Sequence, residues 1–158
     1  WQGNSSNRND IHRSLTLEKL LPHLPSEATF FNLQISLTEQ QEKRLSAHQI
    51  VNFSEGLSTL TGTAAICARL DGVIAVDTSL CHLAGSLGIP TFLLLSLASD
   101  WRWGKSTDRT VWYNNTKLFK QTSRGEWNAP LKSLKETLER DIISPFYAGA
   151  DAGRFLGK

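Results

Sequence analysis

The sequence of 158 residues lacks several features that mark particular classes of protein. It has no methionine, and no apolar run reaches the roughly eighteen residues that a membrane-spanning helix needs. Its 17 basic and 15 acidic residues are scattered along the chain, so no basic tract favours nucleic acid and no acidic tail favours a solvating segment. These absences predict a soluble protein without a membrane span, whose partner is a small molecule rather than a nucleic acid.

Cysteine is also scarce. Cys67 and Cys81 both lie within apolar patterns and show neither Cys-x-x-Cys nor Cys/His ligand spacing. Reduced core thiols are therefore expected rather than a disulfide or a metal site, which fits a cytoplasmic location. The opening "WQGN" resembles the last residue of a strand followed by a turn, and with the missing methionine it suggests a piece of a larger protein.

Several catalytic and cofactor motifs are missing as well. The chain has no glycine-rich dinucleotide fingerprint, no P-loop and no nucleophile elbow. It also shows no Ser-His-Asp series and no carboxylate pair of the glycosidase kind. An NAD-binding domain and the common hydrolase classes are accordingly disfavoured.

What the sequence does contain is an alternation of strand-like and helix-like segments without hairpin signals. The strand-like runs are "ATFFNLQI", "HQIVNF", "GVIAV", "TFLLL" and "KLFKQ". This order predicts a Rossmann-like α/β fold with a doubly wound, mostly parallel sheet over residues 1–142. The length favours one domain, and the tail 143–158 fits no element.

The most informative stretch is "GVIAVDTSLCHLAG", where a buried strand ends in Asp77, Thr78 and Ser79. In parallel sheets ligands bind at the carboxyl ends of strands, and the next helix offers free N–H groups and a positive dipole end to an anion. His82 projects from the side of Thr78 and Ser79, while Leu80, Leu83, Ala84 and Leu87 are predicted to face the core. A plain alternative is that Asp77 or Thr78 only caps the helix and His82 is a surface or capping residue.

Two loops add weaker candidates. Gly3 and Asn4 follow the presumed strand end, and Arg13 just precedes a helix for which Ser14 is a plausible N-cap. A flexible backbone with one arginine suits a phosphate or carboxylate clamp, although polar loops of this kind are more often merely solvated. The second loop carries Arg102 among aromatic side chains, which either stack on a ligand or plug the loop: Trp101, Trp103, Trp112 and Tyr113.

In order and spacing, the segments resemble the C-terminal domain of heptosyltransferase-like glycosyltransferases (glycosyltransferase family 9-like), in the branch often fused to tetratricopeptide repeats. The segments that carry the resemblance are "WQGNSSNRNDIHRS", "FFNLQ", "GTAAICARLDGVIAVDTSLCHLAGSLGIPTFLLL", "DWRWG", "VWYNNTKLFKQ" and "GEW". The resemblance implies one half of a GT-B architecture, the half that holds the nucleotide-sugar donor, without a metal or other cofactor. It implies as partners an N-terminal GT-B domain, which supplies the acceptor site and catalytic base, and possible tetratricopeptide repeats.

The resemblance also implies roles for individual residues. Asp77 would contact the donor sugar or ribose, Thr78 and Ser79 would hold the diphosphate, and His82 would steady its charge. Gly3, Asn4, Arg13, Gln34 and Arg102 are the further donor-binding candidates, and the base is expected near 52–56. No catalytic residue is expected in this chain, so turnover would require the other domain.

Two departures from the family's pattern keep a rival open. Residues 62–65 of this chain read Gly-Thr-Ala-Ala, where related sequences often read Asp-Thr-Ala-Ala. Related sequences also often carry arginine at the position of Ile11. A non-catalytic nucleotide-binding, sugar-binding or scaffolding module with the same fold is therefore the alternative. The sequence leaves the nucleotide, the sugar, the acceptor and the oligomeric state undetermined.

Overall fold

A computed structural model describes residues 1–3, 10–104 and 108–145 of the chain, and over these residues the fold is α/β with parallel strand pairing. β1 (Phe31–Asn32) pairs with β2 (Val51–Asn52). A second sheet has the order β3 (Val73–Val76), β4 (Thr91–Leu95), β5 (Thr116–Lys120). The predicted α/β class and parallel strand pairing are confirmed, with the described strands lying in two small sheets.

Helices alternate with strands from β1 to β4, as the sequence pattern predicts, and further helices precede β1 and follow β5. They are α1 (Asp10–Arg13), α2 (Leu17–Leu20), α3 (Glu39–Ala47), α4 (Leu60–Cys67), α5 (Ser79–Ser86) and α6 (Asn128–Leu138). Short 3₁₀ turns occupy Leu21–His23, Ser54–Leu57 and Trp101–Trp103, and a π-helical turn at Glu139–Ile143 extends α6. Within the described residues, no helix has the length and apolar character to cross a membrane.

Local sequence signals account for several helix ends. α3 begins with a capping box in which Thr38 and Gln41 exchange hydrogen bonds between side chain and backbone. Beyond α5 the chain turns at Gly88, whose φ of 76° lies in the region that favours glycine, and Pro90 follows.

β4 is the centre of the larger sheet and is buried along its whole length. Phe92 and Leu94 pack on one face with residues of α6, whereas Leu93 and Leu95 pack on the other face with residues of α5 and with Trp103. Covering on both faces explains why "TFLLL" is a continuous apolar run rather than an alternating one.

The predicted core face of α5 is confirmed for Ala84 and is otherwise wrong by about one residue. The buried residues are Cys81, Ala84 and Gly85, whereas Leu80 and Leu83 are only half-buried and Leu87 is 46% exposed. Small side chains let the helix approach the sheet closely; a Cβ on Gly85 would lie 2.7 Å from the ring of Tyr113.

Two other predictions need correction. Ser14 is not an N-cap, because its hydroxyl accepts a hydrogen bond from the backbone N–H of Gly3 and α2 begins later. The helical spacing within "LSTLTGTAAICARL" also predicts one face that carries Leu57, Leu60 and Cys67; Leu57 and Cys67 are buried, whereas Leu60 is 67% exposed. Asn4 and residues 146–158 of the tail lie outside the described residues.

Candidate functional site

The amino-terminal end of α5 follows directly from the carboxyl end of β3. Thr78 occupies the N-cap position in an extended conformation (φ −140°, ψ 174°), but its side chain makes no capping hydrogen bond. Its hydroxyl instead donates to the carbonyl of Val76 at 3.3 Å. Thr78 therefore stands at the N-cap position, as the plain alternative predicts, but its side chain does not cap the helix. The positive end of α5 is not neutralised by a capping hydroxyl.

The Arg13 guanidinium lies beside this helix end, although 64 residues separate it from Asp77 in the sequence. Its Nη1 donates to the carbonyl oxygen of Asp77 at 2.8 Å, and its Nε pairs with Asp10 Oδ1 at 3.0 Å. The side chain of Arg13 is 19% exposed, so the guanidinium is largely sheltered. Two of its five N–H donors are used in these contacts, which leaves donors for an anion.

Gly3 packs directly on this ion pair. A Cβ at Gly3 would lie 2.1 Å from Asp10 Oδ1 and 2.7 Å from Arg13 Nη2, so even an alanine would push the pair aside. The Gly3 N–H also donates to Ser14 Oγ at 2.9 Å. Sequence reasoning missed Asp10 and Ser14 as supporting residues; the three-residue spacing of Asp10 and Arg13 on a helix was the available signal.

His82 is held between two aromatic rings. Its imidazole stacks on Trp103 with ring centroids 5.1 Å apart and an interplanar angle of 21°. Its Nδ1 lies 3.0 Å from the hydroxyl of Tyr113. His82 is thus partly buried, its ring is oriented by these two contacts, and it does not cap α5. No local sequence signal indicates Tyr113 as its partner, because 31 residues separate the two.

Asp77, Cys81 and His82 present a carboxylate oxygen, Sγ and a ring nitrogen within 4.8 Å of one another. Oxygen, sulfur and nitrogen ligands together suit a transition metal, provided that the thiol loses its proton. Burial, assisted by the charge of Asp77, raises the pKa of Cys81 to about 11. The thiol instead donates to the carbonyl of Thr78 at 3.0 Å, and this protonated state opposes metal binding.

We expect Cys81 to resist alkylation in the folded protein, because only the thiolate reacts and its raised pKa keeps the thiol protonated. Iodoacetamide at about pH 8 should label it far more slowly than it labels the urea-unfolded chain. The stabilisation from this thiol should be present below its unfolded pKa and decline as the pH rises towards 11.

A Cys67→Ala background leaves Cys81 as the sole thiol for this measurement. Complete labelling of the native protein within the time that labels the unfolded chain would contradict the expectation.

A cavity of about 1660 Å³ opens between the two sheets. Five of the predicted donor-binding residues line it: Gly3, Arg13, Gln34, Thr78 and Ser79. Its lining does not include Asp77, His82 or Arg102. Arg102 pairs with Asp100 at 3.3 Å, and its side chain is 43% exposed. The structure therefore brings these five candidates to one space and leaves Asp77, His82 and Arg102 outside the lining.

A polar network ties the carboxyl ends of β1 and β2 together. The buried Asn32 donates from Nδ2 to Asn52 Oδ1 at 2.7 Å and accepts from the backbone N–H of Gln34 at 3.0 Å. Phe31 and Phe53 stack beside it with centroids 5.3 Å apart, and both are about one third exposed. This edge offers an aromatic surface next to fixed amide groups.

The aromatic loop divides into a buried and an exposed part. Trp103 is 1% exposed, whereas Trp101 and Trp112 are 78% and 56% exposed. The two exposed rings meet edge to face with centroids 6.5 Å apart. The interpretation of the loop tryptophans as an apolar plug holds for Trp103 and not for this exposed pair.

Comparison with known proteins gives one partial likeness. The chain is 35% identical over 85 residues to Protein FlbA of Caulobacter vibrioides, a match that covers 54% of this chain and 14% of that protein. No protein-family model matches the chain. No solved structure matches it. The chain is thus similar to a small part of a much longer relative.

Proposed function

We propose that this chain is the nucleotide-sugar-binding domain of a GT-B glycosyltransferase of the heptosyltransferase-like kind, with a Rossmann-like fold. The observation that carries the proposal is the contact of Arg13 Nη1 with the carbonyl of Asp77, 2.8 Å away, at the start of α5. It sets a sheltered cation beside a helix amino terminus at the carboxyl end of a parallel strand. That combination suits an anion such as a diphosphate.

In this proposal the backbone N–H groups at the start of α5 and the hydroxyls of Thr78 and Ser79 bind the diphosphate. Arg13 contributes the N–H donors that Asp10 and Asp77 do not use. Gly3 keeps this approach open, because a larger residue would displace the guanidinium. His82, whose ring is oriented by Trp103 and Tyr113, is proposed as a further donor to the diphosphate from just outside the cavity lining.

Such a site stabilises the nucleoside diphosphate as it leaves the sugar, since the helix dipole and fixed donors meet the developing negative charge. No metal or other cofactor is then needed. The base is proposed to lie against the Phe31–Phe53 pair, beside Asn52, with Gln34 near the sugar. Arg102 and Asn4 remain further candidates for donor contacts.

Acceptor binding and the catalytic base would come from an N-terminal domain, with tetratricopeptide repeats as possible companions and the cytoplasm as the location. We expect none of the candidates in this chain to deprotonate an acceptor. The chain by itself is therefore expected to bind donor without transferring sugar. Donor binding without transfer by a complete protein that contains this chain would instead indicate the non-catalytic module.

Isothermal titration with UDP, GDP, ADP and CDP tests the proposal. We expect one of them to bind, and we expect His82→Ala and Arg13→Ala each to weaken its binding by about 10- to 100-fold, the worth of a hydrogen bond to a charged group. Binding should persist in EDTA. Arg13→Lys should recover only part of the loss, because an ammonium cannot make the forked contact.

His48→Ala is the matched control, since His48 is exposed at the end of α3 and bonds only locally to the carbonyl of Arg44. Its affinity should equal that of the wild type. The proposal fails if none of the four nucleotides binds, or if His48→Ala weakens binding as much as His82→Ala does.

A further inference from the structure

Lys120 is the last residue of β5 and lies partly buried at the carboxyl end of the larger sheet. Its Nζ donates to the carbonyl oxygen of Trp103 at 3.2 Å and also to the carbonyl oxygen of Gly104. Burial lowers the pKa of Lys120, because an ammonium is costly to remove from water. The two carbonyl groups are therefore the partners that allow a cation to lie here.

The direction of the Lys120 side chain follows from the alternation of the strand. Side chains two positions apart share a face of a sheet, so Lys120 lies on the face of Leu118. Leu118 packs in the cluster that contains Trp103 and residues of α5. Lys117 lies on the opposite face, where its ammonium pairs with Asp141. Of these two lysines, only Lys120 is thus directed to the side of the sheet that α5 covers.

The short turn Trp101–Trp103 is held at both of its ends by side chains. At its start, Asp100 Oδ1 accepts a backbone N–H of the turn at 3.0 Å. At its end, Lys120 meets the carbonyls of Trp103 and Gly104, where a helical turn presents unpaired C=O groups and a partial negative charge. A 3₁₀ turn of three residues has few hydrogen bonds of its own, so contacts of this kind are needed to hold it in one place.

The turn matters to the candidate site because it carries Trp103. The ring of Trp103 is buried and stacks on the imidazole of His82. Tyr113 holds the same imidazole through a hydrogen bond to Nδ1, but the stacking contact depends on where the turn places Trp103. The contacts thus run from Lys120 through the backbone of Trp103 to the ring of His82.

From these contacts, we propose that Lys120 is a positioning residue of the candidate site, which fixes the turn that carries Trp103 and thereby the ring of His82. Lys120 acts through these two residues and does not itself contact the donor. Its effect on donor affinity rests on the proposed function, whereas its effect on the His82 ring does not depend on any ligand.

Lys120→Met tests this role, because methionine keeps most of the apolar stem and removes the N–H donors. In NMR spectra of the chain without ligand, the His82 ring signals should shift and broaden as the imidazole loses its fixed stacking partner. The amides of Trp103 and Gly104, which are hydrogen-bonded within the turn, should exchange about tenfold faster. Lys120→Arg should keep both readouts close to those of the wild type, since a guanidinium can also donate to two carbonyls.

Lys117→Met is the matched control, because it removes an ammonium from the same strand but from the opposite face. It should leave the His82 ring signals and the turn amides unchanged. The amides of β4 report in each variant that the larger sheet is folded. If Lys120→Met does not fold, Lys120→Gln replaces it, since its amide ends one bond short of the lysine side chain. Unchanged ring signals and exchange in the folded variant overturn the proposal, and so does an equal response to Lys117→Met.

Nucleotide titration separates positioning from direct contact. With a nucleotide that the wild type binds, Lys120→Met should weaken binding about three- to tenfold, which is less than the loss expected for His82→Ala. In a His82→Ala background the same substitution should cause no further loss, because its effect passes through the ring. A further loss there would show that Lys120 touches the ligand and would overturn the positioning role. If none of the four nucleotides binds, the proposed function fails, whereas the ligand-free measurements still decide the role of Lys120.

Discussion

Replacing Trp103 with alanine is expected to lower the free energy of unfolding by about 3–5 kcal/mol, as for other large-to-small changes in a core. Trp103 is 1% exposed and belongs to the cluster that contains Cys81 and Leu93. Its removal leaves a cavity beneath α5. It also removes the ring on which His82 stacks, so the imidazole should become mobile. Urea unfolding followed by far-ultraviolet circular dichroism measures the first effect, and the NMR signals of the His82 ring report the second.

Trp101→Ala is the matched control, because Trp101 is two positions away but 78% exposed. Its cost should stay within about 0.5 kcal/mol. Trp103→Phe should fall between the two, since a smaller ring can still stack and the indole N–H has no hydrogen-bond partner among the described residues. Equal destabilisation by Trp101→Ala and Trp103→Ala would contradict the assignment of Trp103 as the buried support of His82.

The larger sheet could be predicted from sequence because its strands follow a local rule. Strands covered on both faces must be apolar at successive positions, and "TFLLL" coincides with the observed Thr91–Leu95. β1 and β2 are shorter than their strand-like runs, with two residues each. Only two residue pairs join these strands, Phe31 with Val51 and Asn32 with Asn52, and an apolar pattern alone does not encode where such pairing ends.

The buried face of α5 could not be predicted correctly, because the most apolar residues of this helix are not its most buried ones. Leu80 and Leu83 carry the larger apolar side chains, yet Ala84 and Gly85 lie against the neighbouring structure. Close approach to Tyr113 selects small residues at this contact, and a hydrophobic pattern alone does not encode that choice.

The candidate site likewise contains residues that a local sequence signal predicts and contacts that it does not predict. Asp77, Thr78 and Ser79 were found because a strand end followed by a helix start is a local signal. The contacts that organise the site are tertiary: Arg13 meets Asp77 across 64 residues, and His82 meets Tyr113 across 31. No spacing rule connects such pairs, so sequence reasoning could propose Arg13 only as a weak candidate.

Leu93→Ala and Leu94→Ala are expected to destabilise the fold similarly, by about 2–5 kcal/mol each, because both side chains are fully buried in β4. The two side chains point to opposite faces of the sheet. Leu93 packs in the cluster with Cys81 and Trp103, whereas Leu94 packs in the cluster with Leu131 of α6. Urea unfolding of the two variants measures how far each substitution lowers the free energy of unfolding.

Their effects on the candidate site should differ, because only Leu93 supports the side of the sheet that carries Cys81 and Trp103. In a Cys67→Ala background, Leu93→Ala should speed the alkylation of Cys81 about tenfold more than Leu94→Ala does. Since the two variants have similar global stability, the difference reports local loosening of α5 rather than complete unfolding. Equal alkylation rates would mean that α5 opens only with the whole sheet, and that the packing beneath His82 is not a separate support of the site.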